Sequence, residues 1–156
     1  MMARNNSHVI LLSAIALAAC TDMSHTYSHY KSISSDGWIR DDTISITMEP
    51  VKHGGVYAEE LGLRTNSLYP FMQIALTVHQ EAQPSGFART DTLTVSLTDD
   101  DGHVLGKGIS HYQHLCPLPP VSLNSGDTLY VNVHHDMLRS PLPGVTEVGL
   151  TMTRNN

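Results

Sequence analysis

Gln73-Ile74-Ala75-Leu76-Thr77-Val78 alternates between two kinds of side chain without a break. In an extended chain successive side chains point to opposite faces. Ile74, Leu76 and Val78 therefore share one face, and Gln73, Ala75 and Thr77 the other. The same period of two recurs on both sides of this stretch. Ile44, Ile46 and Met48 alternate with Thr43, Ser45 and Thr47, and Leu93, Val95 and Leu97 with Thr92, Thr94 and Ser96. Leu129, Val131 and Val133 alternate with Thr128, Tyr130 and Asn132, and Val148, Leu150 and Met152 close the series. Leu61 and Leu63 indicate one more strand, and Tyr30 to Ile33 a first edge strand. No stretch carries a sustained 3.6-residue apolar stripe. The pattern predicts an all-β domain, an antiparallel β-sandwich of either jelly-roll or immunoglobulin-like order. Threonine in the outward positions suits exposed strand faces.

Turn chemistry falls between these runs. Asp99-Asp100-Asp101-Gly102 separates Leu93–Thr98 from His103–Leu105 as a hairpin tip, with glycine supplying the positive φ that such a turn needs. Asn124-Ser125-Gly126-Asp127 plays the same part before Leu129. Pro117, Pro119 and Pro120 predict that Cys116 to Val121 is an extended connection outside the hydrogen-bonded ladders. With 156 residues there is room for one domain after a short leader.

That leader is residues 1–19. A polar start with Arg4 precedes an apolar core from Val9 to Leu17, and small residues follow it. At about 11 residues it falls well short of the roughly 20 that a spanning helix needs. Leu17-Ala18-Ala19-Cys20 fits a lipobox at every position. The expectation is cleavage before Cys20, acylation of its thiol, and residues 20–35 as lipidated N-terminus and tether to a domain over 36–156. Two or more acyl chains hold a protein stably at a membrane. Thr21, next after the cysteine, is no strong retention signal, which favours the outer membrane over the inner. The chain has two cysteines. With Cys20 acylated, Cys116 has no partner for an intramolecular disulfide and is expected to be a small buried hydrophobe.

The formal net charge of −6 at pH 7 disfavours nucleic acid, whose affinity rests on cationic side chains meeting phosphates. Nor does it favour an anionic lipid surface. Histidine is abundant, at ten residues, so metal binding has to be weighed. His111 and His114 point to opposite faces of a strand, as do His134 and His135, and no second Cys/His cluster offers the tetrahedral set that zinc takes. The Asp99–Asp101 run lacks the spaced ligands of a calcium loop, whose closing Glu position falls on Ser110. No metal site or cofactor is expected. There is no nucleophile elbow, no His-Glu-x-x-His and no phosphate-cradling glycine loop. Asp41/Asp42 and Glu59/Glu60 are adjacent pairs whose side chains diverge on a strand. The residues point to a binding or assembly module and not to an enzyme.

Several spaced motifs resemble one family. They are Trp38 with Asp41 or Asp42 after it, Arg64-x-x-x-x-Tyr69-Pro70-Phe71, Asp91-Thr92-Leu93, and Gly102 leading to Leu105-Gly106-x-Gly108. The most specific is Leu138-Arg139 followed by Leu142-Pro143-Gly144-Val145-x-x-Val148-Gly149-Leu150. Together with the lipobox they resemble the gliding-motility lipoprotein GldH family of Bacteroidetes, over nearly the whole chain. The departures are Leu138 in place of Met, Val145 in place of Ile, and His135 or Asp136 where the family pattern has Gln. The resemblance implies a non-enzymatic, membrane-anchored lipoprotein, an accessory or assembly component of an envelope complex of gliding or associated secretion proteins. The expected interface is Arg139, Leu142, Pro143, Gly144, Val148 and Gly149. The alternative is a carbohydrate-binding envelope lipoprotein, whose glycan platform would have to come from Trp38 and tyrosines.

Overall fold

The structure is a computed structural model that describes residues 25–155, so the leader and Cys20 lie outside the described residues. Nine strands follow one another: β1 (Thr26–Ser32), β2 (Ile44–Thr47), β3 (Gly55–Asn66), β4 (Gln73–Gln83), β5 (Phe87–Ser96), β6 (Lys107–Gly108), β7 (His111–Leu123), β8 (Thr128–His135) and β9 (Val145–Arg154). They form two antiparallel sheets, ordered β1-β9-β3-β7-β6 and β2-β8-β4-β5. The described residues contain no helix.

The pairing chooses between the two sandwich orders. β1 pairs with β9, β2 with β8, β3 with β7 and β4 with β5. The first half of the chain is thus laid antiparallel against the second half. That long hairpin is then rolled up so that β3 meets β9 and β4 meets β8. This is jelly-roll order, a double-sheet way of protecting edges.

The alternating residues meet between the sheets. Ile46, Ile74, Leu76, Val78, Leu129, Val131 and Val133 from one sheet are buried against Tyr57, Leu61, Leu63, Leu118, Val148, Leu150 and Met152 from the other. The core is not wholly apolar. Glu59 on β3 and Gln80 on β4 face inward and are buried. Gln80 Nε2 donates to Glu59 Oε1 at 2.8 Å, and Arg89 Nη2 on β5 donates to Glu59 Oε2 at 2.6 Å and to Gln80 Oε1 at 2.7 Å. Arg89 Nη1 donates to the Pro120 carbonyl on β7, and its Nε forms an ion pair with Asp91 at 2.7 Å. The guanidinium therefore spans the two sheets along the side where edge strand β5 faces β7. Burial pushes the Glu59 carboxyl above the usual carboxylate range, and the facing Arg89 and Gln80 pull it only part of the way back.

Two predicted boundaries move. Cys116 to Val121 is not a connection but part of β7, paired to Leu61, Glu60, Glu59 and Tyr57 across a bulge. Its prolines are tolerated because β6 pairs only with Tyr112 and Gln113, which leaves the rest of β7 as an edge. β1 begins at Thr26, inside the stretch that reads as tether. Its polar face hides the period. Tyr27 turns inward against Tyr57, while Tyr30 lies outward across Gly62 of β3 and Gly149 of β9. A Cβ at either glycine would run into the Tyr30 ring. Cys116 is a free thiol, partly buried against the core, and burial pushes its pKa up.

Candidate functional site: the loop end of the sandwich

Antiparallel order sends four long connections to one end of the roll: residues 33–43, 67–72, 97–110 (which includes the two-residue β6) and 136–144. The first and last are tied together through Trp38. This side chain is 1 % exposed, and its backbone forms a two-way bridge with Leu142, Trp38 N to Leu142 O at 2.9 Å and Leu142 N to Trp38 O at 2.8 Å. The indole Nε1 donates to the Asp42 carbonyl at 3.0 Å. His135, fully buried, packs edge-on to the indole, with ring centroids 5.1 Å apart.

The His135 ring is satisfied on both sides. Its Nε2 lies 3.1 Å from the Trp38 carbonyl and its Nδ1 accepts from Met137 N at 3.3 Å. That pattern assigns the neutral tautomer protonated on Nε2. Burial pushes the His135 pKa down. His114 on β7 is also pushed down by burial and has its Nε2 3.2 Å from Thr65 Oγ1.

The 67–72 loop is locked to the last loop by Gly144. Asn66 N donates to the Gly144 carbonyl at 2.8 Å, and Gly144 adopts φ +81°, with its Cα facing the Tyr69 backbone so closely that no side chain fits. The hairpin tip is self-contained. Asp99 Oδ1 accepts from Asp101 N at 3.0 Å and from His103 N at 2.8 Å, and its Oδ2 is 3.2 Å from His103 Nδ1. Asp99, Asp101 and His103 stand within 4.8 Å of one another as a consequence of this turn.

The motifs that are far apart in sequence meet here. Trp38 touches Leu142, Tyr69 touches Gly144, and Gly106 backs onto the His114 ring. Of the six residues expected at an interface, however, Leu142 and Val148 are core side chains with 0 % exposure. Gly149 lies under Tyr30, and Pro143 and Gly144 are half-buried. Only Arg139 is exposed. Any contact made by this segment would run through Arg139 and its neighbour Leu138, which is 91 % exposed.

What the sequence hid is a set of exposed apolar side chains on the same end. Ile39, Leu68, Phe71, Met72, Val104, Leu105 and Ile109 join Leu138 there. Phe71, Val104, Tyr69 and Leu97 line a shared hollow of about 240 Å³ together with the polar Thr65, Asn66, Ser67, Thr98 and His114. The only signal available was their position in loops, outside every alternating run. Among aromatics that a glycan would need, Trp38 offers no free face, and Tyr30 is covered by the Arg64 guanidinium, 4.9 Å from its centroid. Arg64 is itself held by Gln113 and paired with Glu147.

The fold and these contacts define a jelly-roll β-sandwich whose buried Glu59, Gln80, Asp127 and His135 are hydrogen-bonded within the protein and whose loops form its distinctive surface. Residues 25–152 match the sequence profile of the GldH lipoprotein family, and the chain belongs to that family. The match begins ahead of residue 36, in agreement with β1. The chain is also 34 % identical over 105 residues to the gliding motility lipoprotein GldH of Flavobacterium johnsoniae, covering 67 % of this chain and 64 % of that protein. As a lipoprotein it is a membrane-anchored protein of the cell envelope. Among solved structures, Eiger TNF from S. frugiperda aligns over 84 % of this chain and 92 % of its own at 11 % identity and a TM-score of 0.37. Dimeric latent PorU from Porphyromonas gingivalis aligns over 83 % and 13 % at 7 % identity and a TM-score of 0.34. At those scores nothing about this chain follows from either.

Proposed function

We propose that this protein is a non-enzymatic accessory or assembly component of an envelope complex serving gliding motility or the secretion that accompanies it. The observation that carries this reading is membership of the GldH lipoprotein family over residues 25–152. The identity to a named gliding motility lipoprotein supports it, although the alignment spans 64 % of that relative. The chemistry of the interior agrees. Glu59, Gln80, Arg89 and Asp127 are engaged in hydrogen bonds inside the fold, as expected of groups that hold a scaffold together.

Cys20 is the proposed acylation site, on the strength of Leu17-Ala18-Ala19-Cys20, and the outer membrane is the proposed destination. The test uses the full-length chain in cells. Palmitate label and membrane partition should be present in the wild type and lost in Cys20→Ala, and crosslinking in cells should recover an envelope component. Retained label in Cys20→Ala would defeat the anchor assignment. Failure to recover any envelope protein would defeat the assembly role. Carbohydrate binding gains no support from the buried Trp38 and the covered Tyr30.

A further inference from the structure

The exposed apolar side chains are not spread evenly over the molecule. Leu68, Phe71, Met72, Val104, Leu105 and Leu138 all lie on the connections at one end, between 38 % and 91 % exposed. The same connections carry seven aspartates, Asp36, Asp41, Asp42, Asp99, Asp100, Asp101 and Asp136, against Arg40, Lys107 and Arg139. An apolar centre with a charged border is the anatomy of a protein contact, since the centre gains by leaving water and the border sets the partner's sign. The border here is acidic.

Chain geometry then says which way this end faces, given acylation at Cys20 as proposed above. Thr26 is six residues on from Cys20, a stretch that spans about 20 Å at full extension. Thr26 is level with Ala58, since both pair with Thr153 of β9. From Ala58, β3 runs on to Asn66 at roughly 3.3 Å per residue, about 26 Å, before the loops begin. The tether is too short for these loops to plunge end-on into the bilayer that holds the lipid. Lying flat would bring the aspartates against anionic headgroups, which repel them.

We infer that the anchor-distal loops form a docking surface for another envelope protein, one that presents an apolar segment flanked by lysine or arginine. The exposed Leu68, Met72, Leu105 and Leu138 cover the apolar segment, and the aspartates meet the basic flanks. The surface gathers four loops, so no single loop would bind as a peptide.

The test places a photo-crosslinking amino acid in the full-length chain, in the cells that make it, at Leu68, Val104 or Leu138, and at Lys52 or Ser125 on the opposite end as controls. The distal positions should bond to the same partner polypeptide, through an apolar segment with Lys or Arg beside it, and the controls should not. Adduct yield should fall at least about fivefold in Asp100→Lys/Asp101→Lys, whose side chains are exposed and take no part in the Asp99 turn. A parallel palmitate label on the wild type and Cys20→Ala scores the anchor separately from the docking surface. Adducts only with a second copy of this chain, only with lipid, with an acidic segment, or unaffected by the charge reversal would overturn the inference. So would the absence of distal adducts.

Discussion

The two ends of this jelly roll are built on opposite principles. At the end where β1 begins, the connections are tight and turned inward. Met48 and Val51 are buried, and Asp127, fully buried, accepts from Asn124 N at 2.8 Å and Ser85 N at 3.1 Å. Val51 N donates to the Asp127 carbonyl and Gly126 N to that of Val51, so the 48–54, 84–86 and 124–127 connections share one hydrogen-bond net. At the other end the connections are long. Their fixed points are Trp38, Leu142 and Gly144, and their apolar tips face water. The difference teaches where recognition can reside. An end that satisfies its polar groups with its own backbone has little left for a partner. An end that leaves Leu138 and Leu68 in water gains when something covers them.

The sharpest way to break this contrast is to remove the fixed point of the loop end. Trp38→Ala should cost about 3–5 kcal/mol in urea unfolding, since it empties a fully packed site and frees the Asp42 carbonyl. Arg89→Met should cost about 3 kcal/mol by leaving the Glu59 carboxylate buried without its cation, and adding Glu59→Met should recover part of that loss. A double variant no more stable than the single one would show that Arg89 matters for packing and not for charge. Asp127→Ala at the closed end should cost about 1–2 kcal/mol, because two backbone donors lose their acceptor.

Acidity discriminates between the ends more gently. Burial alone would push Asp127 up, but the N–H groups of Asn124 and Ser85 and the Ser85 hydroxyl hold its carboxyl below the usual range. Its contribution is therefore present above the ordinary carboxylate value and lost as pH falls through the lowered one. His135 and His114 are held down by burial, so below about pH 6.5 the unfolded chain binds protons that the folded one refuses. Stability should decline as pH falls from 7.5 to 5.5, and His135→Gln should flatten that slope. An unchanged slope would place the titration elsewhere. The smallest effect is expected at the exposed tip. Leu138→Ser should move the urea midpoint by no more than about 0.5 kcal/mol equivalent, since the side chain has almost no contacts to lose. A large loss there would mean that Leu138 is packed and unfit to receive a partner.

Legibility differed in kind between strands and loops. The core faces of the alternating runs were visible as a period of two, because alternation follows from the pleat itself: Ile74/Leu76/Val78 and Leu129/Val131/Val133 are all inside. The part of β1 ahead of Tyr30 and the proline part of β7 were hidden for one shared reason. Both are edge strands, where half of the backbone needs no ladder partner and side chains need not alternate. Of the expected interface, Leu142, Val148 and Gly149 carry a pattern that packing explains fully, so their motif speaks of the fold, and Arg139 alone keeps a surface.

By itself, then, the sequence determined an all-β domain, its inward faces and its turn glycines, since each depends on residues near one another in the chain. Only the tertiary structure decided the jelly-roll order, the Arg89 clamp between sheets, the shielding of Gly62 and Gly149 by Tyr30, and the gathering of four apolar loops at one end. Those depend on which strands pair across long stretches of chain, and local periodicity is silent on that. Pairing β1 with β9 and β3 with β7 fixes which connections share an end, and so which apolar residues stand together in water.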